Sequence, residues 1–127
     1  MRFNQDSSSH AHVVRAYRQG ELEIDDETHR TTVIVSASTL ESAPQIRGVE
    51  DLSDAEAMRA LIARMLALEP ELALIGTGAS QVFPATGFRA QFLSAGVGVE
   101  VMDTGAACRT FNVLAAERRR VVALLMV

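Results

Sequence analysis

The spacing of apolar residues changes along this chain, and each spacing predicts a different element. From His12 to Tyr17, and again over Glu21, Leu22, Glu23 and Ile24, apolar and polar positions alternate with a period of two, as in strands, with a break at Gln19 and Gly20. Asp25, Asp26 and Glu27 read as a turn leading into Arg30 to Ala37, which carries Val33, Ile34 and Val35. The opening third is therefore expected to be a β meander. Residues 38–52, with Pro44 and Gly48, read as irregular.

The period then becomes helical. Ser53 is followed three residues later by Glu56, the capping-box spacing that satisfies free N–H groups at a helix start. Met58, Leu61, Ile62, Met65 and Leu66 form one apolar stripe, expected to face the core, and Pro70 closes the segment. Leu72 to Ile75 is an all-apolar strand ending in Gly76, Thr77 and Gly78. A second helix is predicted over Thr86 to Ala95, with Phe88, Phe92 and Ala95 inward and Gly96 ending it. Val97, Val99 and Val101 alternate as a strand up to Asp103. Thr104 is expected to cap a third helix with Ala107, Phe111, Leu114 and Ala115 inward, and Val121 to Met126 reads as a last buried strand. Strands alternating with helices imply right-handed parallel crossovers. The fold class is thus α/β: one three-layer domain over residues 12–127, a central mostly parallel sheet with helices, and a small N-terminal β layer packed on it. Residues 1–11 are expected to be a flexible, polar tail.

The 127 residues suit one domain. A net charge of −4 gives no broad positive field, so nucleic acid is not an expected partner. All twelve basic residues are Arg, which excludes lysine Schiff-base, pyridoxal-phosphate and phosphate-loop lysine chemistry. Charge is uneven: residues 1–60 hold six Arg and eleven acids, residues 61–127 six Arg and five acids. The single Cys108 has no internal disulfide partner, and the longest apolar run, Val121 to Val127, is far shorter than a bilayer span. The reading is a cytoplasmic protein with no membrane insertion and no targeting segment over Met1 to Ser9.

Ligands of such sheets bind beyond the carboxyl ends of the strands. Two strands end there in small, polar residues: Gly76, Thr77 and Gly78 on one, Asp103, Thr104 and Gly105 through Arg109 on the other. Exposed backbone N–H groups, a helix start and the planar fork of Arg109 suit a carboxylate or phosphate. The alternative is that the glycines serve tight turns and Arg109 pairs internally with Asp103 or Glu100. Val101 to Ala106 also matches the Asp-Thr-Gly-Ala stretch of retroviral-type aspartic proteases, but too little chain follows for that fold. Cys108 at a helix start could be an activated thiol, although a lone helical Cys is usually an apolar filler. His10 and His12, at a chain end, and His29, near a turn, lack a ligand pattern, so no metal and no cofactor are expected. Arg118, Arg119 and Arg120 read as a solvated helix end. The carboxylate pairs Asp25–Asp26 and Glu50–Asp51 sit in loop text.

Together, Leu74 to Gly78, the run Gly96 to Leu114, the Arg-rich turn and the apolar last strand resemble the Mth938-like domain family, a group of unknown function. The resemblance covers about residues 12–127 and is specific in the second half. It implies a central parallel sheet with helices at its sides and a small β layer. It also implies an assembly role for mitochondrial members, which look like complex I assembly factors, while bacterial members are mostly uncharacterised. The family features that map here give a candidate pocket of Gly76, Thr77, Gly78, Asp103, Thr104, Arg109, Thr110 and Asn112. Two functions follow as expectations for a bacterial member. One is a non-enzymatic binding or assembly module for a protein partner. The other is a small-molecule anion site, in which Asp103 orients or deprotonates a ligand held by Arg109.

Overall fold

A computed structural model describes residues 11–127; the polar tail expected over residues 1–11 falls, apart from Ala11, outside the described residues. In chain order the elements are β1 (Val14–Arg18), β2 (Glu21–Ile24), β3 (Glu27–His29), β4 (Val33–Ser36), β5 (Leu40–Ser42), a 3-10 turn (Val49–Leu52), α1 (Ala55–Leu66), β6 (Leu72–Thr77), α2 (Thr86–Ser94), β7 (Gly98–Met102), α3 (Thr104–Ala116) and β8 (Val121–Met126). Strands β1, β2 and β3 make a small antiparallel sheet. The central sheet has five strands in the order β5-β4-β8-β6-β7.

That sheet is mixed, which corrects the expectation of a mostly parallel one. Strands β6 and β7, and β6 and β8, pair parallel, while β4 pairs antiparallel with both β8 and β5. The reason lies in Val33, Ile34 and Val35, all fully buried. Three consecutive apolar residues need cover on both faces, and only a place beside β8 supplies it. The segment read as the end of the meander is thus an inner strand of the main sheet. The meander takes its third strand from Glu27–His29, of which Glu27 is read from sequence as the end of a turn, and residues 40–42, read as irregular, form the edge strand β5.

Strand β8, buried at every position, is the spine. Val122, Leu124 and Met126 face α1 and α2 with Ile34, Ala73 and Ile75; Val121, Ala123 and Leu125 face α3 and the meander with Val33, Val35 and Leu74. The two faces follow from the period of two in each strand. On α1, Leu61, Ile62 and Met65 are buried as the stripe predicts, with Met58 and Leu66 packed at its margin. Its cap is Asp54, whose carboxylate accepts from the Ala57 amide at 2.8 Å, not Ser53. The Ser53 hydroxyl is already engaged, donating to the Glu50 carbonyl at 2.7 Å to close the 3-10 turn. On α2, Phe88 and Phe92 meet edge to face with centroids 5.3 Å apart, whereas Ala95, expected to point inward, is exposed just beyond the helix end.

One side chain attaches the meander to this frame. Asn112 on α3 accepts from the Val14 amide at 2.9 Å and donates to the Val14 carbonyl at 2.8 Å, taking the place of a neighbouring strand. Replacing it with Ala leaves both partly buried groups unpaired, so Asn112→Ala is expected to cost about 2 kcal/mol in urea denaturation. Asn112→Ala matching the wild-type midpoint would show that the meander is held by apolar packing alone.

Candidate functional site

The carboxyl ends of β6 and β7 come together beneath the start of α3. Gly76 lies directly under the helix: a Cβ there would stand 3.0 Å from Thr104 Cα and 3.1 Å from Ala107 Cβ. Only glycine lets the helix come this close. Asp103, not Thr104, caps α3, its Oδ1 accepting from the Ala106 amide at 2.9 Å. Thr104 is fully buried, and its hydroxyl joins two strands to the helix. It accepts from the Gly78 amide at 2.7 Å and donates to the Met126 carbonyl at 2.6 Å. Gly78, at φ 95°, returns its carbonyl to the Thr104 amide at 2.9 Å.

The loop leaving β6 is similarly tied. Thr77 Oγ1 donates to the Ser80 carbonyl at 2.6 Å and accepts from the Val82 amide at 3.0 Å. Gln81 Nε2 donates to the Val101 carbonyl at 2.8 Å. Beyond these anchors, Val82 is 45% and Phe83 61% exposed. Sequence reasoning passed over this pair because nothing in the pattern marks an apolar loop residue as outward-facing.

Around Gly105 a second small group converges. A Cβ added to Gly105 would lie 3.3 Å from Asp103 Oδ1, 3.6 Å from Arg109 Nη1 and 3.8 Å from Tyr17 Cδ2. Arg109 is exposed, and it forms no ion pair with Asp103 or Glu100 among the described residues. Tyr17, on β1, brings a buried hydroxyl without a hydrogen-bond partner among the described residues. Burial pushes its ionisation up, with the Cys108 and Asp103 charges adding to the shift. Tyr17 reaches the group only through the packing of β1 on α3, which no local spacing reveals. Thr110 hydrogen-bonds Met102 Sδ at 3.6 Å, next to this group, but Asn112 lies further along the helix on Val14. Of the eight candidate residues, the structure therefore brings seven to one end of the sheet and turns Asn112 to the meander.

Cys108 is nearly fully buried. Burial pushes its thiol up to about 12, and Arg109 only partly offsets that push, while Asp103 adds to it. This is the filler reading rather than the activated one. No three His, Cys, Asp or Glu side chains converge in a metal-holding group among the described residues.

Two outcomes follow from this geometry. Thr104→Val keeps the shape and removes the hydroxyl, leaving the Gly78 amide and Met126 carbonyl unpaired; it is expected to destabilise by about 2–3 kcal/mol, measured by urea denaturation, with Thr104→Ser restoring most of the loss. With its thiol so raised, Cys108 should react with iodoacetamide at pH 8 at least about 100-fold more slowly in the folded chain than in urea. Equal rates in the two states would contradict the burial of the thiol.

A family model described as a protein of unknown function (DUF498/DUF598) matches residues 14–126. An uncharacterised protein of Rhodobacter capsulatus is 33% identical over 113 residues, 89% of this chain and 82% of that one. A protein of Francisella tularensis subsp. holarctica, named a 13 kDa major membrane protein, is 39% identical over 62 residues; the match spans 49% of this chain and 50% of that protein's length. In this chain, no helix among the described residues is long and apolar enough to cross a membrane. The solution structure of a Bordetella pertussis protein, a Mth938-like domain, superposes with a TM-score of 0.78 at 27% identity, covering 99% of this chain and 92% of that one. The chain belongs to the DUF498/DUF598 family and has the Mth938-like fold.

Proposed function

We propose that this protein is a non-enzymatic binding module whose protein partner docks at the carboxyl ends of β6 and β7. The observation that carries this reading is a contrast within one loop. Thr77 and Gln81 hold it by three side-chain hydrogen bonds, yet it presents Val82 and Phe83 to solvent. An aromatic side chain held outward by a fixed loop loses little freedom on binding, and burying a Phe contributes about 1.5–3 kcal/mol.

The same end of the sheet offers less to a small anion. The Gly78 amide is already bonded to Thr104, and the Ala106 amide to Asp103. The Cys108 thiol stays protonated at neutral pH. The assembly role implied by the resemblance to mitochondrial relatives points to a partner of the same class. We place the protein in the cytoplasm, in keeping with a chain whose single cysteine is buried and carries no disulfide.

The test compares tagged wild-type chain with Phe83→Ala and Leu93→Ala, each used to recover polypeptides from native cell extract. Leu93 is a control: it is 58% exposed but sits on α2 away from the loop. A polypeptide recovered with wild type and Leu93→Ala should fall at least about tenfold with Phe83→Ala, the loss expected for a central apolar anchor. Thermal midpoints should stay equal. Identical recovery with all three chains would overturn the reading.

A further inference from the structure

The opposite end of the sheet holds a groove of about 1060 Å³. It lies at the amino ends of β6 and β8, where α3 turns into β8. Leu68, Pro70, Ala115, Val121 and Val122 are among its apolar lining residues. Arg118, Arg119 and Arg120 line it as well, with His12 and two serine hydroxyls, and no acidic side chain does. An apolar floor and a cationic rim together favour a ligand that is apolar along its body and anionic at one end.

The Arg-rich turn is built rigidly. Glu71, which is not a lining residue, accepts from the Arg120 amide at 3.0 Å and pairs with Arg119 Nη2 at 3.2 Å. The Arg120 amide and then the Arg119 guanidinium hold its carboxyl below the usual range. Arg120 Nε donates to the Glu69 carbonyl at 3.2 Å. Arg118 makes no ion pair among the described residues. It sits at φ 63°, closing α3: its amide bonds the Ala115 carbonyl at 3.0 Å, and the Arg119 amide bonds the Leu114 carbonyl at 3.0 Å. Glycine is the favoured residue at that left-handed position, because a Cβ is strained there. An arginine accepts the strain and places an unpaired cation at the mouth of the groove.

We infer that this groove binds a small amphiphile with one anionic head, a carboxylate or a phosphate monoester, on a short aliphatic chain. The head sits against Arg118 and Arg120, and the chain lies over Leu68, Pro70 and Ala116. The site is separate from the docking loop at the other end of the sheet and does not depend on it.

The experiment titrates the isotope-labelled full-length chain with octanoate and with octyl phosphate, and follows amide shifts by NMR. Octanol and inorganic phosphate serve as the half-ligands. Saturable shifts confined to residues 112–122, 36–38 and 68–71 and to His12 and Val13 are expected with at least one of the two amphiphiles, at lower concentration than with either half-ligand. Arg118→Gly should weaken that binding by about fivefold or more, the loss of one ion pair, without lowering the thermal midpoint, since glycine relieves the left-handed strain. Arg120→Gln should weaken it similarly. The inference is overturned if neither amphiphile gives saturable shifts at this end. Binding unchanged in Arg118→Gly and Arg120→Gln, or octanol binding as tightly as octanoate, would overturn it equally.

Discussion

A single hydroxyl group sets how the two halves of this fold meet. Thr104 Oγ1 bridges the Gly78 amide after β6 and the Met126 carbonyl at the end of β8, in a place sealed from solvent. Both strands and the helix above them are therefore fixed at their ends relative to one another. The arrangement requires close approach, which Gly76 permits by having no side chain under Thr104 and Ala107. Once α3 is seated there, Phe111 and Ala115 reach the sheet, and Asn112 falls where it can hold Val14 and the meander. Buried hydrogen bonds of this kind contribute little net energy each, but leaving one unmade is costly, so they select one geometry over its neighbours.

Helices and buried strands were legible in the sequence because each has its own period. The stripe of α1 and the apolar run of β8 follow directly from side chains that need one face or two covered. What the spacing lacks is direction and partner. Val33, Ile34 and Val35 announce a strand buried on both sides, but not that it runs antiparallel against β8, so the sheet is mixed where a parallel one was expected. The cap of α1 moved one residue because Ser53 had a competing local bond. The two small-residue turns were legible as a meeting of strand ends, while the contribution of Tyr17 depends on tertiary packing between β1 and α3. Arg118, Arg119 and Arg120 read as a solvated helix end, and only the fold shows a groove beside them.

The two ends of the sheet differ in how their polar groups are used. At the carboxyl ends, the amides and hydroxyls of the turns are paired within the chain, and what faces outward is an apolar loop tip. At the amino ends, the Glu71 carboxylate braces the arginine turn from behind and leaves cations facing an apolar groove. A rigid turn at one end and an open groove at the other are both consequences of where α3 begins and stops.

Amide hydrogen exchange, resolved residue by residue, reads directly whether the Thr104 bridge locks the carboxyl ends of β6 and β8. With the bridge in place, the Gly78 and Thr104 amides exchange as slowly as those of β8, which open only on global unfolding. Exchange of Gly78 and Thr104 at the rate of exposed loop amides, with β8 still protected, would contradict it.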